Sequence, residues 1–268
     1  MQGKLGKLAI ALAIMGCTSA NAGVVTVWGE TIGSFSKTTL NDFYNGLAGH
    51  SSSIANGTLD TVNLTNVNLL WAIQPADSYS TAELSTMSSF LGGGGRIAFM
   101  GEHGTYAPQQ NIRINAALSA LGSTISINNT ILDSGPRSAS VGDGQILNHA
   151  LTAGVNTYYY GAFAPLSISG TAEALMLGEE SYLGSPSVMM AYQNIGPGSI
   201  FLITDQNVWD DAPTNWPGVD NGKMFENLLS GSTGAPPVAP SPVPEPASLA
   251  LLGIGFAGLG AMRRRKTA

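Results

Sequence analysis

The chain has 268 residues, a net charge of −6, charged side chains at only 10% of positions, and one cysteine, Cys17. This acidic balance excludes nucleic acid as a partner, because phosphate neutralisation needs clustered Lys and Arg. A lone Cys excludes both a disulfide framework and a thiolate metal site.

At the amino end, Lys4 and Lys7 precede an apolar stretch over residues 8–15, and Ala20-Asn21-Ala22 supplies the small residues of a cleavage site. This is the pattern of a secretory signal peptide over residues 1–22, so the exported chain begins near Gly23 and loses Cys17. Ile14-Met15-Gly16-Cys17 also loosely resembles a lipobox, in which Cys17 would be lipidated; Met15 is unusual at that position and the later site fits better. Of the basic residues only Lys37, Arg96, Arg113, Arg137 and Lys223 lie in the remaining domain, against every acidic residue except Glu245. The exported domain is therefore strongly acidic, and residues 23–230 are ample for one hydrophobic core.

Residues 24–28 form a β-branched run that predicts a strand, and residues 37–47 place Leu40, Phe43, Tyr44 and Leu47 at helical spacing. Residues 68–73 are continuously apolar and stop before Pro75, as expected of a strand buried on both faces. Ser80 with Glu83 three positions on predicts a capped helix reaching Leu91, ended by glycines 92–95. A strand over residues 96–100 leads into Gly101-Glu102-His103-Gly104, then a helix over residues 111–121 and a strand over residues 124–127. The second half changes character: short strands at residues 158–160, 166–168, 174–177, 188–192 and 199–203 have little helix between them, and residues 223–229 predict a closing helix. Strand and helix alternating in this way predict an α/β domain with a three-layer, mostly parallel sheet and an antiparallel extension in the second half. Residues 231–242 are a Pro-rich spacer that does not pack.

The run from Val67 to Gly122, with its polar loop, four glycines, Gly101-Glu102-His103-Gly104 elbow and Asn-rich helix, resembles the class I glutamine-amidotransferase-like fold, a flavodoxin-like arrangement. Residues 198–207 and 227–229 are similar to the closing strand and helix of such domains. The resemblance implies a Cys nucleophile at the elbow, where Glu102 and His103 stand instead; Glu cannot replace a thiolate, so amidotransferase activity is not expected.

Glu102 beside His103 reads in two ways. A carboxylate next to an imidazole at the end of a parallel strand can serve in acid-base work, or the pair is a polar turn whose glycines allow a sharp bend. His50, His103 and His149 show no metal-ligand spacing. Asp205, Asn207, Asp210, Asp211 and Asp220 offer oxygen ligands of the kind Ca²⁺ takes, although the run lacks the EF-hand Gly and Glu; Asx-rich turns also arise for local hydrogen bonding alone. No other cofactor is expected. Tyr106, Trp209 and Trp216 could lie against sugar faces, or the tryptophans could fill the core.

The tail carries Pro244-Glu245-Pro246, an uncharged apolar run over residues 249–262, and Arg263-Arg264-Arg265-Lys266. As a helix the run spans about 21 Å against a hydrocarbon core of about 30 Å. It is a weak anchor with its cations on the cytoplasmic side. Residues 243–268 resemble the PEP-CTERM sorting signal of Gram-negative bacteria, which implies export through the inner membrane, processing by an exosortase, and delivery to the envelope or an extracellular polysaccharide matrix. The expected function is a non-catalytic domain binding exopolysaccharide or an envelope protein, with a hydrolase using Glu102 and His103 as the alternative.

Overall fold

A computed structural model describes residues 23–29, 37–210 and 216–230. The signal peptide, spacer and sorting segment lie outside the described residues, as do Asp211 and the side chain of Asp210.

In chain order the elements are β1 (Val24–Gly29), α1 (Lys37–Gly46), β2 (Ser51–Ile54), a 3-10 turn at Leu59–Thr61, β3 (Leu69–Ile73), α2 (Thr81–Gly92), β4 (Arg96–Met100) and α3 (Pro108–Ala120). There follow β5 (Ser126–Ile127), β6 (Arg137–Ser140), a 3-10 turn at Ala150–Thr152, β7 (Thr157–Tyr160), β8 (Leu166–Ser167), β9 (Glu173–Tyr182), β10 (Ser185–Ile195), β11 (Gly198–Ile203), α4 (Asn207–Asp210) and α5 (Asn221–Ser230). Among the described residues a nine-stranded sheet runs β2-β1-β3-β4-β11-β10-β8-β5, with β9 also on β10. The strands from β2 to β11 in this order are parallel, and everything from β10 outward pairs antiparallel. The α/β class and the antiparallel extension in the second half are as the sequence predicts.

The apolar run of β3 explains the layering. Leu69, Trp71 and Ile73 pack on one face with Leu40, Tyr44, Phe225 and Leu228 of α1 and α5. Leu70 and Ala72 pack on the other with Met87, Phe90, Ile114 and Leu118 of α2 and α3. All five β3 side chains are buried, which is why the run shows no polar alternation. At Ser80 the capping box forms as the sequence indicates: Ser80 Oγ accepts from Glu83 N, and the Glu83 carboxylate accepts from Ser80 N.

Three features depart from the sequence reading. Helix α3 begins at Pro108 rather than residue 111, with proline in its first turn, where a missing N–H costs nothing. Strands β2 and β6 were not foreseen: Ser51-Ser52-Ser53-Ile54 and Arg137-Ser138-Ala139-Ser140 carry too few apolar residues to signal strand. Their ladders to β1 and β7 form them instead. The β9–β10 hairpin is also far longer than its two apolar stretches suggest, because its outer half is exposed and polar.

Candidate functional site

From β1 the chain crosses through α1 to β2 on one side, then returns past the first 3-10 turn to β3 on the other side of β1. The connections leaving the carboxyl ends of β1 and β3 therefore diverge, and open parallel sheets leave a ligand crevice at such a point. A cleft of about 580 Å³ occupies it, lined by Trp28 and Gly29, the loop after β2, and residues 75–80 after β3. Gly29 has φ +112°, and a Cβ there would meet the Ile73 carbonyl oxygen at 2.2 Å. Only glycine lets β1 and β3 approach so closely at the foot of the cleft.

Trp28 and Tyr79 give the cleft aromatic surface, with ring centroids 5.8 Å apart. Trp28 Nε1 donates to the Gly57 carbonyl at 2.8 Å, which fixes the indole. The Tyr79 ring also meets Phe99 edge-on at 6.3 Å, and its hydroxyl is buried with no hydrogen-bond partner. Burial, with the Glu83 charge adding to it, holds that phenol far above its ordinary pKa, so it is a neutral donor. Glu83 is already committed: its oxygens accept from Leu59 N at 3.2 Å and from Ser80 N and Oγ at 2.8 and 2.9 Å. Among the described residues, that leaves Asn56, Thr58, Ser78, Asp77 and Lys37 as groups available to a ligand. Among the described lining residues there is no His or Cys. An aromatic surface with a few amides, hydroxyls and charged groups is suited to holding a polar, hydroxylated molecule.

Glu102 and His103 sit farther along the same edge, after β4. Glu102 is 1% exposed. Its Oε1 accepts from His103 N at 2.7 Å and its Oε2 from Gln206 N at 2.9 Å, tying the β4 loop to the β11 loop. His103 Nε2 lies 3.7 Å from Oε1, and Nδ1 meets Thr105 Oγ1 at 2.9 Å. Burial lowers the pKa of this imidazole, so the ring is held neutral. Asn111 locks the turn, accepting from Glu102 N and donating to Glu102 O at 2.6 Å. Gly104 is needed because a Cβ would meet the Asn129 backbone at 2.2 Å. Gln74, after β3, extends this buried polar seam by donating to Gln206 Oε1 at 3.1 Å. The geometry is that of a structural tie, with both carboxylate oxygens engaged by amides. Tyr106 is 41% exposed against the His103 ring.

Of the acidic loop, Asp205 and Asp220 are held at separate places. Asp205 is fully buried, accepting from Gly161 N at 2.7 Å and Asn207 N at 2.8 Å. Asp220 accepts from Asn156 N at 2.8 Å and Thr157 N at 3.1 Å. These amides flank opposite ends of β7, about 13 Å apart at strand rise, so the two carboxylates do not share an ion. Asn207 packs against Gly161. Among the described residues no three His, Cys, Asp or Glu side chains come together as metal ligands would. His50 and His149 are occupied by the local backbone, accepting from Gly23 N at 3.0 Å and Leu151 N at 3.1 Å.

The two tryptophans separate. Trp209 is 1% exposed, packed on Phe225 at 4.3 Å, Phe43 at 5.4 Å and Trp71 at 6.1 Å, so its ring belongs to the core and is not a sugar platform. Trp216 is 41% exposed, with its ring 4.9 Å from Tyr159. The cleft residues Trp28, Asp77 and Tyr79 escaped the sequence reading because the crossing point depends on β2, whose serines hide it.

Among the described residues no helix is long and apolar enough to cross a membrane; the apolar run at 249–262 lies outside them. Residues 242–266 match the PEP-CTERM protein-sorting motif, and the motif marks an exported protein sorted by an exosortase. No curated protein is significantly similar in sequence. The fold is similar to the mmIFT52 N-terminal domain, at a TM-score of 0.57 and 18% identity over 79% of this chain and 99% of that one. It is similar also to the cold-adapted beta-galactosidase from Rahnella sp. R3, at a TM-score of 0.52 and 16% identity over 84% of this chain. The match spans only 33% of the galactosidase chain. The cytoplasmic protein STM3548 from Salmonella typhimurium matches at a TM-score of 0.52 and 11% identity over 78% of this chain and 98% of that one. At these identities the likenesses establish the fold alone, and they do not single out the glutamine-amidotransferase family.

Proposed function

We propose that this protein is an exported, exosortase-processed binding domain whose cleft between β1 and β3 holds a hydroxyl-rich segment of extracellular polysaccharide without reacting with it. The observation that carries the reading is the cleft itself, where Trp28 and Tyr79 set aromatic surface beside the exposed polar groups of Asn56, Thr58, Asp77 and Ser78. The engagement of both Glu102 oxygens by backbone amides supports binding over hydrolysis, because a carboxylate so held is poorly placed to give or take a proton. Before processing, the apolar run at 249–262 keeps the chain at the membrane with Arg263, Arg264 and Arg265 on the cytoplasmic side; afterwards the domain belongs to the envelope or the matrix.

The test is thermal unfolding of the exported chain with and without exopolysaccharide, since a ligand of the folded state raises stability by mass action. Wild type should shift upward, while Asn56→Ala and Asp77→Ala should shift less. A shift that both substitutions leave intact would move the site elsewhere. New reducing ends on the polysaccharide, abolished by Glu102→Gln, would instead favour the hydrolase.

A further inference from the structure

The hairpin of β9 and β10 ends in a backbone outlier. Tyr182 stands opposite Ser185, so the turn between them holds two residues, Leu183 and Gly184. Both have positive φ, +51° and +80°. A turn of this kind takes Asn-Gly by preference, because a side chain as large as Leu is disfavoured in the left-handed region. Leu183 is nevertheless there, 87% exposed, the most open large apolar side chain among the described residues. A residue that strains its turn without filling the core points to a contact made elsewhere.

The tip stands clear of the domain. Beyond the pairing of Met190 with Ile203 at the end of β11, β10 continues through residues 185–189, about 17 Å of strand. A Cβ added to Gly184 would meet nothing within 4 Å. Around Leu183 lie exposed Pro186 and half-buried Tyr182, with Ser181 and Ser185 supplying hydroxyls. The acidic residues before them, Glu179 and Glu180, sit back along β9, the first of them 3.2 Å from Arg137.

A receptor of matching chemistry lies at the other end of the same sheet. A pocket of about 470 Å³ opens where the chain enters β3 and β4, between residues 62–68, the second half of α2 and Gly93-Gly94-Gly95. Val62, Leu64 and Val67, half-buried against the core, give it apolar surface. Thr65, Asn66 and Ser89 are exposed around them, and none of the lining residues is charged. The tip projects past the carboxyl ends of the parallel strands and the pocket lies at their amino ends, so a tip does not reach the pocket of its own chain.

We infer that Leu183 at the hairpin tip inserts into this pocket on a second copy of the chain, joining copies head to tail. Seating Leu183 and Pro186 against Val62, Leu64 and Val67 removes apolar surface from water on both sides. The serine hydroxyls of the tip meet the hydroxyls and amide of the rim, the arrangement of an apolar centre with a polar border. Because tip and pocket are different surfaces at opposite ends, the contact is heterologous, and every pair keeps a free tip and a free pocket for further copies. Its area is that of a transient encounter, so growth depends on concentration. The assembly does not rest on what occupies the cleft between β1 and β3.

The test uses the exported chain, residues 23–243, which contains every member of both core clusters. Sedimentation velocity from micromolar to millimolar concentration should show wild type passing from monomer through dimer to larger species. Leu183→Asn gives the turn its preferred Asn-Gly pair, so its melting temperature should be no lower than that of wild type. Its association should nevertheless weaken at least about tenfold, as losing a buried Leu does. Ser89→Glu, at an exposed position of α2, puts a charge into the pocket and should weaken association as much. Mixed together, the two variants should form a pair and nothing larger, since the intact tip of one meets the intact pocket of the other. Wild type that stays monomeric or stops at a dimer, a variant that associates like wild type, or a mixture that does not pair overturns the inference.

Discussion

Replacing Glu102 by Gln separates a structural carboxylate from a catalytic one. The side chain accepts one amide hydrogen on each oxygen, His103 N at 2.7 Å and Gln206 N at 2.9 Å, at 1% exposure. Glutamine keeps the shape but puts an NH₂ against one of those donors, so one hydrogen bond is lost, a buried N–H is left facing a second N–H, and the remaining bond loses its charge. Hydrogen bonds to a charged group contribute about 1.5–3 kcal/mol, so the substitution should cost about 2–4 kcal/mol. For a domain of this size that lowers the melting temperature by about 10 °C. Urea denaturation followed by tryptophan fluorescence measures it, since Trp71 and Trp209 lie in the core. The refuting result is a variant within about 0.5 kcal/mol of wild type, the range of an ordinary surface change; Glu102 would then not be the tie between β4 and β11 described above.

Four further outcomes follow from the same geometry. Trp209→Ala should cost about 3–5 kcal/mol, as truncating a core aromatic does, whereas Trp216→Ala should stay within about 0.5 kcal/mol as an exposed change; paired urea titrations compare them. Arg96→Met should destabilise by about 2–4 kcal/mol, because Leu228 O and Ser199 Oγ lose their donor, and Arg96→Lys should not restore the loss, since an ammonium cannot reproduce the two-directional fork. Tyr79→Phe without ligand should be neutral or slightly stabilising in the same assay, because the hydroxyl it removes has no partner. Burial, the largest cause, holds the His149 pKa below the ordinary 6.5. The unfolded chain then binds a proton that the folded one resists, so stability should fall as pH drops from 6.5 through the folded-state pKa. In His149→Asn, which keeps an acceptor for Leu151 N, urea midpoints at pH 7.5 and 5.5 should lie closer together than in wild type.

Much of the frame was legible along the chain because its signals are local. The apolar runs of β1, β3, β4 and β11 need no partner to be recognised, and the Ser80 to Glu83 capping box is complete within one helical turn. The sorting motif is likewise contiguous. The site was less legible. Ser51–Ile54 has no strand signature of its own, yet β2 is what places the crossing beside β1 and opens the cleft. Trp209 and Trp216 look alike in sequence, and only the packing of Phe225, Phe43 and Trp71 decides that one is core. Asp205 and Asp220 lie close enough in sequence to suggest one ion, but β7 passes between the amides they hold.

By itself the sequence determined the address and the class of fold, since each follows from residue type and short-range order. Tertiary structure alone decided that Glu102 joins the β4 and β11 loops, that Trp28 and Tyr79 line one cleft, and that Gly23 meets Leu229 at the end of α5. Those depend on groups far apart in the chain, such as Glu102 and Gln206 or Gly23 and Leu229, and their juxtaposition is set by how the sheet is threaded and packed.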